Sequence, residues 1–374
     1  MIIKNVKVFQ DNGVFVPGEI YIEGDKFTDS SDGAGQEVID GNGCYAIPGL
    51  TDVHFHGCVG YDFCDGTVEA IKAMAEYELD NGVTAIAPAT MTLSEEMLTE
   101  VARAAAAYDG RTGADLVGIN MEGPFISMEK KGAQNPAYIH KPDAAMFRRL
   151  QEESGNKFKL CAIAPEVEGA IDFIRELKDE VVLSVAHTTA DYDTAKAAFG
   201  AGARQVTHLF NAMPPFTHRA PGVVGAACDN EEVKVEMICD GVHMHPSVIR
   251  TAFKMFGDDR IIMISDSMMA TGKPDGTYAL GGQDVTVKGN VATLTEGGAI
   301  AGSVTNLMNC VRYAVKEAGI PLESAVKCAA VNPAKAIGIF DRYGSIAAGK
   351  YANVVLLDQD LNIEHIIKSG TVVK

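Results

Sequence analysis

Two histidines separated by one residue, His54 and His56, close an apolar run in the segment TDVHFHG. Residues i and i+2 of a β-strand point to the same face, so both imidazoles are predicted to face one side and Phe55 the other. Imidazole is a common ligand of zinc and of ferrous iron. In a chain with nine histidines in total, this pair predicts one half of a metal site.

Further residues of metal-binding type also follow short apolar runs: Glu122, His187, His208 and Asp266. A single histidine at a strand end is more often a hydrogen-bonded polar residue than a ligand. Together with the histidine pair, however, these residues provide enough ligands for two divalent ions about 3.5–4 Å apart, and a carboxylate can bridge the two ions. We therefore predict that all six converge on one metal centre.

The elements that must position these side chains are apolar, β-rich runs that recur along the middle of the chain. They are CYAIPGLTDVHFH, GVTAIAPAT, LVGINMEG, FKLCAIAP, VVLSVAHT, QVTHLFNA, VKVEMICD and RIIMISDS. Amphipathic helical stretches separate several of them, with Ser94 as a predicted N-cap and Gly82 as a predicted C-cap. Strands alternating with helices predict a (β/α)8 TIM-like barrel over residues 47–340, and such barrels carry their active sites at the C-terminal ends of the strands.

Both ends of the chain alternate between apolar and polar residues, as half-buried strands do. Residues 1–46 and 341–374 are therefore predicted to form one small β-sandwich domain, with the barrel inserted between its two parts. Residues 276–298 also alternate, which predicts a β-hairpin insertion near the end of the barrel.

Composition excludes several classes of partner. The 374 residues carry a formal net charge of −18, which disfavours nucleic acid and anionic membranes because both select basic surfaces. No apolar stretch approaches the length of a membrane span. The eight cysteines contain no C-x-x-C pair and the N-terminus has no signal-like apolar region, so we expect reduced thiols and a cytoplasmic location.

Several strings resemble the N-acetylglucosamine-6-phosphate deacetylase family of the amidohydrolase superfamily. They include MEGPF, KKGAQNP, THLFNAMPP, DGVHMHP, ISDSMMATG and IAGSV, and the C-terminal NPAKAIGIFDRYGSIAAGKYANVVLLD resembles the return of the superfamily into its small domain. The resemblance implies hydrolysis of N-acetyl-D-glucosamine 6-phosphate to D-glucosamine 6-phosphate and acetate. It also implies a homodimer with a small sugar phosphate as substrate.

The resemblance assigns roles to individual residues. Glu122, His187 and His208 match the principal metal site, and Asp266 matches the catalytic aspartate. Some relatives lack the histidine pair and keep one ion, whereas this chain retains both histidines, which implies two ions, with zinc favoured over iron. The residues expected to contact substrate are Ala133, Gln134, Asn211, Ala212, Arg219, Asp240, His243, Ile300, Ala301 and Gly302.

Two of these contacts have a particular chemical reason. The guanidinium of Arg219 offers a forked pair of donors that suits a phosphate, and His243 adds another donor. By family habit, the loop of Arg219 is expected to serve the site of the neighbouring subunit. Gln134 stands where some relatives have a histidine that polarises the substrate carbonyl, so either Gln134 or a metal ion would do so here.

Amide hydrolysis near neutral pH needs a nucleophilic water, stabilisation of the oxyanion and a proton for the departing amine. A divalent ion lowers the pKa of a bound water from about 15.7 toward about 7. Asp266 is predicted to accept the proton of that water as general base and then to deliver it to the amine as general acid.

Alternative functions remain open from the sequence. One is a deacetylase for another N-acetylhexosamine 6-phosphate, because epimers can differ by one hydrogen bond of about 1–3 kcal/mol. Another is a different amidohydrolase, against which the anion-binding pair Arg219 and His243 argues. The third is a non-catalytic metal-binding or sugar-phosphate-binding barrel, against which Asp266 and the room left for water argue.

Overall fold

The computed structural model describes residues 1–30, 37–110 and 112–374. Residues 31–36, within the predicted N-terminal part of the small domain, and residue 111, within the predicted barrel, lie outside the described residues. Within the described part, no helix combines the length and apolar character that a membrane crossing requires.

The two ends of the chain meet in one eight-stranded sheet, the terminal sheet. Its strands, in spatial order, are Thr371–Val372, Ile363–Lys368, Val354–Leu357, Tyr45–Pro48, Ile2–Phe9, Phe15–Glu23 and Lys26–Thr28, with Val38–Asp40 pairing beside Ile2–Phe9. The junction is the antiparallel pair of Val354–Leu357 with Tyr45–Pro48. Alternate residues of these strands, such as Ile3, Val354 and Leu356, form a separate apolar core, so strands from both ends of the chain share one sheet and one core.

The middle of the chain forms two parallel sheets. The short parallel sheet contains Leu50–Asp52, Val83–Ile86 and Asp115–Leu116, and the long parallel sheet contains Ile119–Met121, Phe158–Ile163, Val182–Val185, Gln205–Val206, Lys234–Ile238 and Ile261–Ile264. Strands that are neighbours in the long sheet also follow one another in sequence. The long sheet therefore forms half of the predicted barrel. Most residues of these strands are buried, as expected when helices cover a parallel sheet.

Hydrogen bonds connect the two parallel sheets at both of their junctions. At one junction, Ala89 and Asn120 form a parallel bridge, and the side-chain amide of Asn120 donates to the carbonyl of Val53 at 3.0 Å. At the other, the backbone N–H of Asp266 donates to the carbonyl of His54 at 2.9 Å. The C-terminal ends of the first and last strands of the series are therefore adjacent.

Helices follow most of these strands. The α-helices are Val68–Asp80, Glu95–Ala107, Ala144–Glu153, Ala170–Leu177, Tyr192–Ala201, Gly222–Cys228, Pro246–Phe256, Leu307–Lys316, Leu322–Val326 and Asn332–Ala336. The shorter elements are the 3-10 turns Phe63–Asp65, Met128–Lys130 and Pro136–Tyr138 and the π-helical turn Lys327–Val331. The predicted N-cap is confirmed, because the Ser94 hydroxyl accepts from the N–H of Met97 at 3.3 Å. The C-cap of the first helix is Asn81, one residue before the predicted Gly82, which follows with a left-handed φ of 82°.

The predicted insertion is present, but it has three strands where a hairpin has two. Gly276–Leu280, Gln283–Lys288 and Val291–Leu294 form an antiparallel meander. The side-chain amide of Gln283 donates to the carbonyl of Ala133 at 2.5 Å. The insertion is thereby attached to the loop that follows Glu122. A further two-stranded ribbon, Gly57–Cys58 with Tyr61–Asp62, follows the histidine pair.

Replacing Leu356 by alanine tests the contribution of the terminal sheet to stability. Leu356 is fully buried, so Leu356→Ala is expected to lower the free energy of unfolding by about 2–5 kcal/mol. Urea denaturation would measure this change. The matched control is Val372→Ala on the edge strand, where the side chain is 37% exposed and the expected change is within about 0.5 kcal/mol. Equal losses in both variants would contradict the proposed core.

Candidate metal centre and cavity

All six residues predicted as metal ligands directly follow parallel strands. His54 and His56 come after Leu50–Asp52, and the other four follow four strands of the long sheet. None of the six is more than 7% exposed. Two groups of three have ligand atoms within 4.8 Å of one another: the first is Glu122, His187 and His208, and the second is His54, His56 and Asp266. The structure therefore brings all six side chains together.

The first group has the spacing of a metal-binding face. The Nε2 atoms of His187 and His208 each lie 3.1 Å from Oε1 of Glu122, and 3.2 Å from each other. A tetrahedral ion with bonds of about 2.0–2.1 Å needs ligand atoms about 3.3 Å apart. Two imidazole nitrogens that face each other at this distance can share only one proton between them. The triangle of atoms fits a divalent cation.

The second group approaches both oxygens of the same carboxylate. His54 Nε2 lies 3.4 Å from Oε1 of Glu122, whereas His56 Nε2 lies 3.2 Å from Oε2. Oδ1 of Asp266 is 3.4 Å from His56 Nε2 and 3.8 Å from His54 Nε2. Glu122 therefore lies between the two groups, with an oxygen available to each.

Charge in this cluster favours a bound cation. Burial alone would lower the pKa of His56, but hydrogen bonds to Asp266 and Glu122 outweigh it and raise the pKa to about 10. Burial alone would raise the pKa of Glu122, but the charges of His54 and His187 outweigh it and hold this pKa well below its usual value. The buried carboxylates thus stabilise positive charge, which divalent cations supply as well as protons do.

The backbone at three of the six residues is unusual. His187, His208 and Asp266 adopt positive φ angles of 42°, 28° and 49°, a region that few residues other than glycine occupy. Such conformations cluster at functional sites, where the surrounding structure holds them. At these three residues, the positive φ turns the backbone away from the direction of the preceding strand.

Groups behind the imidazoles fix their orientation. His187 Nδ1 lies 2.8 Å from the carbonyl of Lys130, and His56 Nδ1 lies 3.3 Å from the carbonyl of Ala89. His54 Nδ1 instead lies 2.9 Å from a carboxylate oxygen of Glu236. Sequence reasoning missed Glu236, although one acidic residue between the apolar residues Val235 and Met237 of the strand KVEMI was a usable signal.

A cavity of about 290 Å³ opens beside the metal cluster. Its lining includes the predicted substrate residues Ala133, Gln134, Asn211, Ala212, His243, Ile300, Ala301 and Gly302. Asp240 lies behind this lining, where its Oδ2 is 2.8 Å from Nδ1 of His243. Burial alone would lower the pKa of His243, but the hydrogen bond to Asp240 outweighs it and raises the pKa. The carboxylate of Asp240 therefore favours the protonated form of the imidazole that faces the cavity.

Gln134 and Arg219 are placed differently from the other predicted contacts. The amide nitrogen of Gln134 donates to Oε2 of Glu122 at 2.7 Å, and its oxygen accepts from the N–H of Thr92 at 2.6 Å. Arg219 lies on an exposed segment and does not line the cavity of its own chain. The structure thus brings together every predicted site residue of this chain except Arg219.

Comparison with known proteins agrees with this geometry. Residues 45–373 match the model of the amidohydrolase family. N-acetylglucosamine-6-phosphate deacetylase of Bacillus subtilis (strain 168) is 34% identical over 383 residues, covering 100% of this chain and 96% of that protein. N-acetylgalactosamine-6-phosphate deacetylase of Escherichia coli O157:H7 is 33% identical over 326 residues, covering 86% of both.

A solved structure is similar over the full length. It is a mutant of N-acetyl-D-glucosamine-6-phosphate deacetylase from Mycobacterium smegmatis in complex with N-acetyl-D-glucosamine-6-phosphate, with a TM-score of 0.93 and 33% identity. The alignment covers 100% of this chain and 99% of that one. The chain therefore belongs to the amidohydrolase family and, within it, to the N-acetylglucosamine-6-phosphate deacetylases.

Proposed function

We propose that this chain hydrolyses the N-acetyl group of N-acetyl-D-glucosamine 6-phosphate, giving D-glucosamine 6-phosphate and acetate. The observation that carries the proposal is the convergence of six metal-binding side chains around Glu122 at the wall of one cavity. The names of the relatives and the substrate in the similar solved structure support the choice of substrate.

The metal centre is proposed to hold two divalent ions, with zinc favoured over iron for a mixed imidazole and carboxylate ligand set. Glu122, His187 and His208 would hold one ion and His54, His56 and Asp266 the other, with Glu122 as the bridge. When bound, such ions lower the pKa of water and polarise a carbonyl oxygen.

Asp266 is proposed as general base and then general acid. It is 7% exposed and lines the cavity, so it can reach both a water and the substrate nitrogen. Its backbone is held on both sides, because its N–H donates to His54 and its carbonyl accepts from the N–H of Ser303 at 2.7 Å. A proton taken from water is thus returned to the departing amine by a group that does not move away.

The cavity residues are proposed to bind the sugar phosphate. His243, held by Asp240, would meet the phosphate, and Ala133, Asn211, Ala212 and the segment 300–302 would contact the sugar. Arg219 would complete the phosphate site of the neighbouring subunit in a homodimer, which its exposure in the single chain supports.

The finer architecture is also a proposal. We infer that residues 47–340 form one closed (β/α)8 barrel, supported by the hydrogen bonds at both junctions of the parallel sheets. Residues 1–46 and 341–374 would form the small β-sandwich domain. A cytoplasmic location is supported by the eight free cysteines.

The second candidate function is deacetylation of N-acetyl-D-galactosamine 6-phosphate. It is favoured by the 33% identity to the relative of that name. The two substrates differ at one hydroxyl group, so direct comparison of the two sugars decides between these functions.

Acetate release by metal-loaded protein tests the proposal. We expect kcat/KM for N-acetyl-D-glucosamine 6-phosphate to exceed that for the unphosphorylated sugar by at least about 10-fold, because charged hydrogen bonds to the phosphate are lost. Asp266→Asn is expected to lower kcat by about 10²–10⁴-fold. Absence of acetate release by the wild-type protein, from either epimer, would contradict the proposal.

Removing a ligand of the first group tests the metal assignment. His187→Ala and His208→Ala are each expected to lose at least one ion per chain, measured by elemental analysis after dialysis, because the remaining two ligands no longer enclose it. The matched control is His140→Ala, a histidine on the exposed surface, which should keep the wild-type metal content. Full metal occupancy in the first two variants would refute the ligand set.

Hybrid dimers test whether Arg219 acts across subunits. Arg219→Ala alone is expected to raise KM for the phosphorylated sugar by about 10–100-fold and to leave KM for the free sugar nearly unchanged. A dimer of one Arg219→Ala chain and one Asp266→Asn chain then contains one complete site and should recover the wild-type KM. An unrecovered KM in that hybrid would place Arg219 in the site of its own chain.

A further inference from the structure

Glu236 is a buried carboxylate directly behind the metal cluster. It lies in the strand Lys234–Ile238 and is fully buried. Its Oε2 lies 2.9 Å from Nδ1 of His54, and its Oε1 accepts from the side-chain amide of Gln205 at 2.5 Å. Oε2 also accepts from the backbone N–H of His208 at 3.4 Å. Within the described residues, His54 is the only group that forms an ion pair with Glu236.

This contact determines how His54 presents itself to a metal ion. A carboxylate opposite Nδ1 keeps the proton on that nitrogen, so the lone pair of a neutral ring lies on Nε2. In the part of the chain that the structure describes, Nε2 of His54 has no hydrogen-bond partner. It points toward the carboxylates of Glu122 and Asp266, at 3.4 and 3.8 Å. His54 is therefore oriented as a ligand before any ion binds.

The other three imidazoles lack such support. The Nδ1 atoms of His187 and His56 face uncharged backbone carbonyls. The Nδ1 of His208 has no hydrogen-bond partner among the described residues. A buried carboxylate raises the basicity of the imidazole that it contacts more than a neutral carbonyl does. Among the described residues, contact between Glu236 and an imidazole ring is thus specific to the group that contains His54, whereas His208 of the other group contacts Glu236 only through its backbone N–H.

Charge balance points the same way. Glu122 and Asp266 provide two negative charges for the two proposed divalent ions, which together carry four positive charges. A third carboxylate, one imidazole away, offsets part of the remaining repulsion between the ions in a site where water does not screen it.

We propose that Glu236 is the positioning residue that enables the group of His54, His56 and Asp266 to hold its metal ion. The inference rests on the two-ion centre of the proposed function. It predicts that the charge of Glu236 matters for one ion and not for the ion bound by Glu122, His187 and His208.

The test is the metal content of Glu236→Gln, which keeps the shape of the side chain and removes its charge. Titration with zinc against a chelating competitor is expected to show one site of wild-type affinity and one site weakened by about 10–100-fold. The melting temperature of the metal-free protein is a second readout, expected to stay near that of the wild type. Two sites of wild-type affinity, or equal weakening of both, would overturn the proposal.

The matched control is Glu78→Gln. Glu78 is also fully buried, but within the described residues neither of its carboxylate oxygens has a hydrogen-bond partner. It should therefore keep both zinc affinities. A selective loss of one ion in this control as well would show that replacing any buried carboxyl group near the barrel has the effect, and would overturn the specific role of Glu236.

A measurement on the wild-type protein covers the case in which Glu236→Gln does not fold. In zinc-loaded protein labelled with ¹⁵N-histidine, the His54 nitrogen that faces Glu236 is expected to carry a proton. An unprotonated nitrogen there would overturn the proposal. Both readouts are independent of catalysis, so a wild-type protein that releases no acetate would refute the proposed function and leave this inference to be judged by metal binding.

Discussion

The carboxylate of Glu122 is the group on which the site depends. Four imidazole nitrogens lie 3.1–3.4 Å from its two oxygens, and the amide nitrogen of Gln134 donates to Oε2 at 2.7 Å. A carboxylate that is 2% exposed is costly unless cations surround it. Four histidines from three strand ends can meet one carboxylate only where parallel strands converge, so the order of the strands determines whether the site forms.

Much of this could be predicted from sequence because strand ends in a parallel sheet share one edge. Apolar runs ending in Glu122, His187, His208 and Asp266 were sufficient to group the ligands without knowing any distance. Relations between strands could not be obtained in this way. The register that sets Glu236 behind His54 depends on pairing across 182 residues, and local sequence carries no information on it.

Backbone conformation was also outside the reach of sequence patterns. His187, His208 and Asp266 have positive φ, whereas propensity would assign glycine or asparagine to such positions. The alternating pattern of residues 276–298 predicted the insertion, but it did not predict the contact of the insertion with the loop that follows Glu122. Through Gln283 it holds the carbonyl of Ala133, next to Gln134, and so a surface meander contributes to the order of the metal centre.

The position of Gln134 bears on how the substrate carbonyl is polarised. Its oxygen must be the atom that accepts from Thr92, because the partner there is an N–H, and its nitrogen must be the atom that faces the Glu122 carboxylate. That nitrogen also donates to the sulfur of Met91 at 3.8 Å, so both of its N–H groups are engaged. No donor of Gln134 is left for a substrate carbonyl. Its amide instead orients the Glu122 carboxylate, which supports the proposal that bound cations would polarise the carbonyl.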